Sequence, residues 1–257
     1  MKTEIIGGGE RSEFAARYLL NKKADGDICT VTILPIPSTR DGVFVTGCDL
    51  MLDELPERLE KSTLLAGYGL PDRLCKALSA RGISYYDARG DEKFILENAE
   101  LTALGALSYL LSEFKEAPCD LKIGVIGYGR IGRVLTRILL FLGASVRVFS
   151  SRSENIVALG GLGVDCYNVQ REFFSYDSIS SLDVLLNTAP TDLSYIFPEK
   201  NVGGLRVLDL AISDCFPGIS GVEYLPSLPA RMFPESAGAA YGRAIERHLS
   251  SDGGGVL

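Results

Sequence analysis

Between Leu121 and Arg152 the chain reads LKIGVIGYGRIGRVLTRILLFLGASVRVFSSR, a run that restricts the fold more than any other part of the sequence. Ile123, Val125 and Ile126 make a short apolar strand. It ends on Gly127-Tyr128-Gly129-Arg130-Ile131-Gly132, a G-x-G-x-x-G turn with a strand before it and a helix after it. Gly127 permits the tight bend, Gly129 lets backbone N–H groups approach a pyrophosphate, and Gly132 lets the helix lie close to the strand. The helix N-terminus then offers its unpaired amides and its dipole to the anion.

The helix carries Ile131, Val134, Leu135, Ile138, Leu139 and Leu142, an apolar stripe at helical spacing that suits a sheet-facing side. Gly143 stops it, and Ala144 to Phe149 returns as a second strand. Ser150, Ser151 and Arg152 follow, where an NAD site usually places an acid for the ribose diol. A carboxylate repels a 2′-phosphate, whereas a guanidinium and two hydroxyls attract one, so the expected cofactor is NADP, with NAD possible.

At 257 residues and 46% hydrophobic content the chain has material for two half-size domains. A net charge of −7 and the lack of a basic run argue against nucleic acid and an anionic membrane surface as partners. No signal-peptide core or bilayer-length apolar run is apparent, and a cytoplasmic location is expected. The six cysteines, at 29, 48, 75, 119, 166 and 215, form no C-x-x-C pair and read as reduced core thiols. His248 is the single histidine, near the end of a polar helix, and reads as a solvated helix-end residue. No metal site is expected from this donor set.

Taken in order, Thr3 to Ile6 is a strand, Gly7-Gly8-Gly9 a turn without G-x-G-x-x-G spacing, and Glu10 to Asn21 a helix, a unit that reads as a strand-to-helix turn in preference to a second, degenerate nucleotide site. Strands are expected at Thr30 to Ile36, Thr63 to Gly67 and Ile83 to Asp87, with helices near Pro56 to Lys61 and Pro71 to Arg81. The segment Pro35-Ile36-Pro37-Ser38-Thr39-Arg40-Asp41-Gly42 follows a strand end, where ligands bind in open parallel sheets. Arg40 there is either a bidentate carboxylate anchor or an ordinary surface arginine. Gly67-Tyr68-Gly69 also follows a strand end and reads as a plain turn, the alternative being a loop that faces the same cleft. An apolar helix spans Glu97 to Phe114. Val184 to Pro190 and Val207 to Ala211 look like buried parallel strands with small or polar ends.

Several of these segments, in this order and spacing, resemble the family of the dipicolinate synthase A chain: Ile33-Leu34-Pro35, Asn98-Ala99, Thr102-Ala103-Leu104-Gly105, the glycine turn, Leu186-Asn187-Thr188-Ala189-Pro190, Leu208-Asp209-Leu210-Ala211 and LPSLPARMFPESAG. The hydroxyacid dehydrogenases share the glycine-turn part but not that last loop. The chain departs from the family's Thr-x-Glu-Gly at Leu104, and Glu235 stands where the family's PKTAG has a lysine.

The resemblance implies an α/β protein of two Rossmann-like domains with doubly wound parallel sheets, of the kind found in formate and glycerate dehydrogenases. Residues 1–95 and 236–250 would form a substrate domain completed by the C-terminal helix, 96–117 a hinge helix and 120–235 the NADP domain, with a disordered tail at 250–257. It further implies oxidation of dihydrodipicolinate to pyridine-2,6-dicarboxylate during sporulation, with a small diacid substrate. A flavoprotein-like second subunit is the implied partner, and a homo-oligomer is possible. On this reading Gly127, Gly129, Arg130, Ile131 and Gly132 meet the pyrophosphate. Ser150, Ser151 and Arg152 meet the 2′-phosphate, and Thr188, Ala189 and Pro190 border the nicotinamide ribose. Ser38, Thr39, Arg40, Arg231 and Ser236 are the candidate substrate anchors. The alternatives are a D-2-hydroxyacid dehydrogenase, which needs an imidazole beside its substrate, and a regulatory protein that binds NAD(P) without chemistry.

Overall fold

The computed structural model describes residues 1–20, 22, 28–169, 174–211 and 213–251. It divides into two compact units, one formed by Met1–Asn98 with Pro229–Leu257 and the other by Ala99–Leu228.

In the first unit β1 (Lys2–Ile5), α1 (Glu10–Leu19), β2 (Thr30–Ile33), α2 (Leu55–Arg58), β3 (Thr63–Gly67), α3 (Asp72–Ala80) and β4 (Ser84–Asp87) alternate, and α4 (Glu92–Glu113) leads out of it. The sheet is parallel in the order β1-β2-β3-β4, with Ile5 opposite Ile33, Ile33 opposite Ala66 and Gly67 opposite Asp87. All five residues of β3 are buried, as in a strand covered on both faces.

The second unit runs β5 (Lys122–Ile126), α5 (Arg130–Phe141), β6 (Ser145–Ser150), α6 (Ser153–Gly160), β7 (Asp165–Asn168), β8 (Val184–Asn187), β9 (Arg206–Asp209) and β10 (Val222–Tyr224). Its six parallel strands are ordered β10-β9-β8-β5-β6-β7, the doubly wound arrangement. The chain reverses direction across the sheet between β5 and β8, so a crevice opens beyond their carboxyl ends. Phe149, Phe174, Leu185, Phe197, Val207 and Phe216 form its core.

The chain then returns to the first unit through α7 (Leu228–Met232) and α8 (Pro234–Ser251). Helix α8 lies against α1 and packs Tyr241, Ala244 and Ile245 with Ala15, Leu19 and Ile33. Two glycines make this possible. A Cβ on Gly238 would run into Phe14 and the Arg11 carbonyl, and one on Gly242 would lie 2.7 Å from the Tyr18 ring.

Several expectations need correction. Helix α4 starts at Glu92 rather than Glu97, because Asp91 caps it by accepting from the Phe94 amide at 2.9 Å. This helix is also long and apolar enough, by length and composition, to cross a bilayer. Phe94, Ala99, Ala103, Ala106 and Leu110 are nevertheless buried in the protein at helical spacing, as in a core helix. Ser250 and Ser251 belong to α8 rather than to a tail, while 252–257, and the expected end of α1 at Asn21, lie outside the described residues. Among the cysteines only Cys215 is buried, whereas Cys29 and Cys119 are exposed, and none is bridged. His248 is not a solvated helix end, since its ring packs on Tyr86 with centroids 4.9 Å apart.

Candidate functional site

The glycine turn lies at the switch point of the second unit's sheet, and its three glycines serve different ends. Gly127 takes φ +89°, and a Cβ there would lie 2.7 Å from the Thr188 hydroxyl. A Cβ on Gly132 would collide with the Gly127 carbonyl, so only glycine lets α5 start this close to the strand. Gly129 differs, because a Cβ built on it meets nothing within 4 Å. Its bare backbone borders open space at the N-terminus of α5. That helix has no side-chain cap, and its first turn holds Arg130 and no acid. Its positive end is therefore not neutralised from within.

The space beyond is a pocket of about 640 Å³, within the roughly 300–1,000 Å³ typical of ligand sites. Three strand ends line it: the turn after β5, the Ser150-Ser151-Arg152 segment after β6, and Thr188, Ala189 and Pro190 after β8. Of the residues expected to hold a dinucleotide, Gly127, Gly129, Ser150, Ser151, Arg152, Thr188, Ala189 and Pro190 share this pocket. Arg130, Ile131 and Gly132 stand in the first turn of α5 beside it.

Ser150 is committed to holding the loop. Its Oγ accepts from the Arg152 amide at 3.2 Å and from Asn155 Nδ2 at 3.0 Å, leaving only its proton for a ligand. Ser151 and Arg152 are exposed at the pocket's edge. Asp192, on the β8 side, is the only carboxylate among the described residues that line the pocket, and it accepts from the Ser194 amide at 2.8 Å. The β6 side therefore suits an anionic ribose substituent.

Across the crevice the Thr188 hydroxyl donates to the Ile126 carbonyl at 2.9 Å and fixes the end of β8 to the glycine turn. Asn187 holds the next residues in place. Its Oδ1 accepts from the Ala189 amide at 3.0 Å, and its Nδ2 donates to the Ala189 carbonyl at 3.1 Å and to Asp209 Oδ1 at 2.9 Å. Burial pushes the Asp209 carboxyl above the usual aspartate range, although the Ala211 and Cys215 amides and Asn187 donate to it. Sequence reasoning does not single out Asn155, Asn187 or Asp209 as site residues. For the last two the available signal is a polar residue closing an apolar strand, as in Leu185-Leu186-Asn187 and Val207-Leu208-Asp209.

The five candidate substrate anchors all belong to the first unit. Ser38 is fully buried, and its hydroxyl donates to the Pro35 carbonyl at 3.1 Å and accepts from the Tyr68 amide at 2.8 Å, so it joins two loops. Thr39 is held by its neighbours, donating to Asp41 and accepting from the Gly42 amide. Arg40, Arg231 and Ser236 are exposed. The structure joins the Ser38 loop to Tyr68. Arg231 on α7 and Ser236 on α8 stand on a separate segment.

With this geometry the chain can be set beside solved structures. Dipicolinate synthase A chain from Bacillus subtilis superposes with a TM-score of 0.73 at 18% identity, covering 98% of this chain and 96% of the other. Its counterpart from Bacillus halodurans gives 0.74 at 19% identity, covering 97% of each. This chain has the fold of the dipicolinate synthase A chain. An L-alanine dehydrogenase follows at 0.58 and 12% identity, covering 99% of this chain and 91% of that one, so the architecture is the dehydrogenase-type Rossmann fold. No family model and no curated protein sequence matches the chain.

Proposed function

We propose that the protein is an NADP-dependent dehydrogenase that converts dihydrodipicolinate to pyridine-2,6-dicarboxylate in the cytoplasm. The observation that carries this reading is the pocket at the switch point. Its backbone is open at Gly129, its helix end is not neutralised, and Ser151 and Arg152 stand where an NAD site has an acid. The similarity to dipicolinate synthase structures supports the choice of substrate.

The oxidised nicotinamide supplies the hydride acceptor when bound. The chain's own part is to bind and orient. The α5 amides and Arg130 hold the pyrophosphate, and Ser151 and Arg152 hold the 2′-phosphate. Thr188, Ala189 and Pro190, kept rigid by Asn187 and Asp209, border the ribose beside the reacting ring. Loss of a hydride and a proton leaves an aromatic ring, so the reaction asks little of an acid or base side chain. The hydroxyacid dehydrogenase alternative needs an imidazole, and the chain's one imidazole is engaged with Tyr86.

The test is turnover. Purified protein with oxidised NADP and dihydrodipicolinate should accumulate NADPH and dipicolinate in equal amounts. NADP binding without turnover, also in the presence of a flavoprotein-like partner, would make the chain a regulatory protein instead.

A further inference from the structure

Arg11 is the second residue of α1, directly after Gly7-Gly8-Gly9, and so stands on the carboxyl edge of the first unit's sheet, where open parallel sheets bind ligands. It is only 7% exposed, and its Nε has no hydrogen-bond partner among the described residues. Arginine is rarely buried without a counter-charge, because an ion removed from water loses several kcal/mol unless something replaces that solvation. Among the described residues no carboxylate pairs with it. The ionisable side chains that bear on the guanidinium are the phenols of Tyr241 on α8 and Tyr68 after β3, which are uncharged at neutral pH and supply no counter-charge. Burial pushes it down to about 10, which leaves it a cation at neutral pH.

Thr46, whose carbonyl lies against Gly7 in the turn before α1, has a buried hydroxyl without a partner among the described residues. Gly9, the N-cap of α1, offers no side-chain cap, and Cβ atoms on Gly8 and Gly9 would meet nothing within 4 Å. Glu10 and Glu13 of the first turn are not drawn in as Arg11 is, Glu10 being exposed and Glu13 likewise.

We propose that this edge of the first unit is a carboxylate-binding site in which the buried Arg11 guanidinium is the charged donor. Its ligand is a small dicarboxylate of the pyridine-2,6-dicarboxylate class. The identity of that diacid rests on the dehydrogenase reading, whereas the site itself rests on the first unit alone.

The experiment is calorimetry and thermal denaturation of the full chain with pyridine-2,6-dicarboxylate, with uncharged pyridine as control and NADP titrated separately. Removing one partner of a buried charge pair predicts that Arg11→Met weakens the dicarboxylate Kd by about 30-fold or more. NADP affinity should stay unchanged, and the Tm without ligand should rise, because an unpaired buried cation is gone. Arg11→Lys keeps the charge without the planar fork and should weaken the dicarboxylate by about tenfold. Unchanged dicarboxylate binding in either variant, or a wild type that binds pyridine equally well or binds no diacid, overturns the site. Failure of NADP to bind while the diacid still does would instead count against the dehydrogenase reading.

Discussion

Gly129 and Gly132 stand three residues apart in one motif, yet the structure asks different things of them. A methyl group on Gly132 would strike the Gly127 carbonyl, so Gly132→Ala should cost about 1–3 kcal/mol of stability, read as a lower Tm. A methyl group on Gly129 meets no atom of the described residues within 4 Å and enters the pocket mouth. Gly129→Ala should change stability by less than about 1 kcal/mol while weakening NADP sharply, and calorimetry with parallel melting curves separates the two. Arg152 allows a second test. Arg152→Glu should weaken NADP by about tenfold or more, as expected for one charge-assisted hydrogen bond of about 1.5–3 kcal/mol. NAD should be affected far less, and equal losses for both cofactors would remove the 2′-phosphate role. The glycine roles were legible because a turn is set by residues adjacent in sequence. The role of Ser38 and the burial of Arg11 were not, since they depend on Tyr68 and on helix α8, distant along the chain.

At the scale of elements, the start of α4 joins three parts of the first unit. Asp91 accepts from the Phe94 amide, from the Tyr86 hydroxyl of β4 at 2.8 Å and from Arg247 of α8 at 2.9 Å. Burial alone would raise its carboxyl, but the Phe94 amide, Tyr86 and Arg247 together hold it below the ordinary aspartate range. Because its folded pKa is depressed, the stability it contributes is present above the unfolded value near 3.8 and is lost as pH falls through the folded value. Asp91→Ala should therefore lower stability at neutral pH by about 1–2 kcal/mol. The difference from wild type should shrink as the pH falls below the unfolded value, and denaturant titrations along a pH series measure both. The capping role was missed because Asp91 precedes the first apolar residue of the periodic run by three positions. Helix α6 and strands β7 and β10 were also missed. They are short, and β10 offers only Val222-Glu223-Tyr224, too little for a period to register. The apolar strands β5, β8 and β9 were legible for the opposite reason.

Over the whole molecule, the path of the chain makes one unit continuous and the other not. The second unit is a single stretch, and every residue lining its pocket lies between Ile126 and Tyr195. The first is completed only when α8 returns and places Tyr241, Ile245 and Leu249 in the core beside Leu19 and Ile33. At about 1.5–3 kcal/mol for each large side chain buried, those three alone rival a total domain stability of about 5–15 kcal/mol. A chain ended after Phe233 should therefore lose the cooperative unfolding of its first unit, seen as a smaller calorimetric unfolding enthalpy and exposed apolar surface. The same chain should keep its NADP affinity within about threefold, because the switch-point pocket needs nothing beyond the second unit. It should lose binding of pyridine-2,6-dicarboxylate, because α8, which packs against the Arg11 turn of α1 through Gly238, is gone. Loss of both ligands would mean that the pocket depends on the first unit, while loss of NADP alone would contradict the placement of both sites.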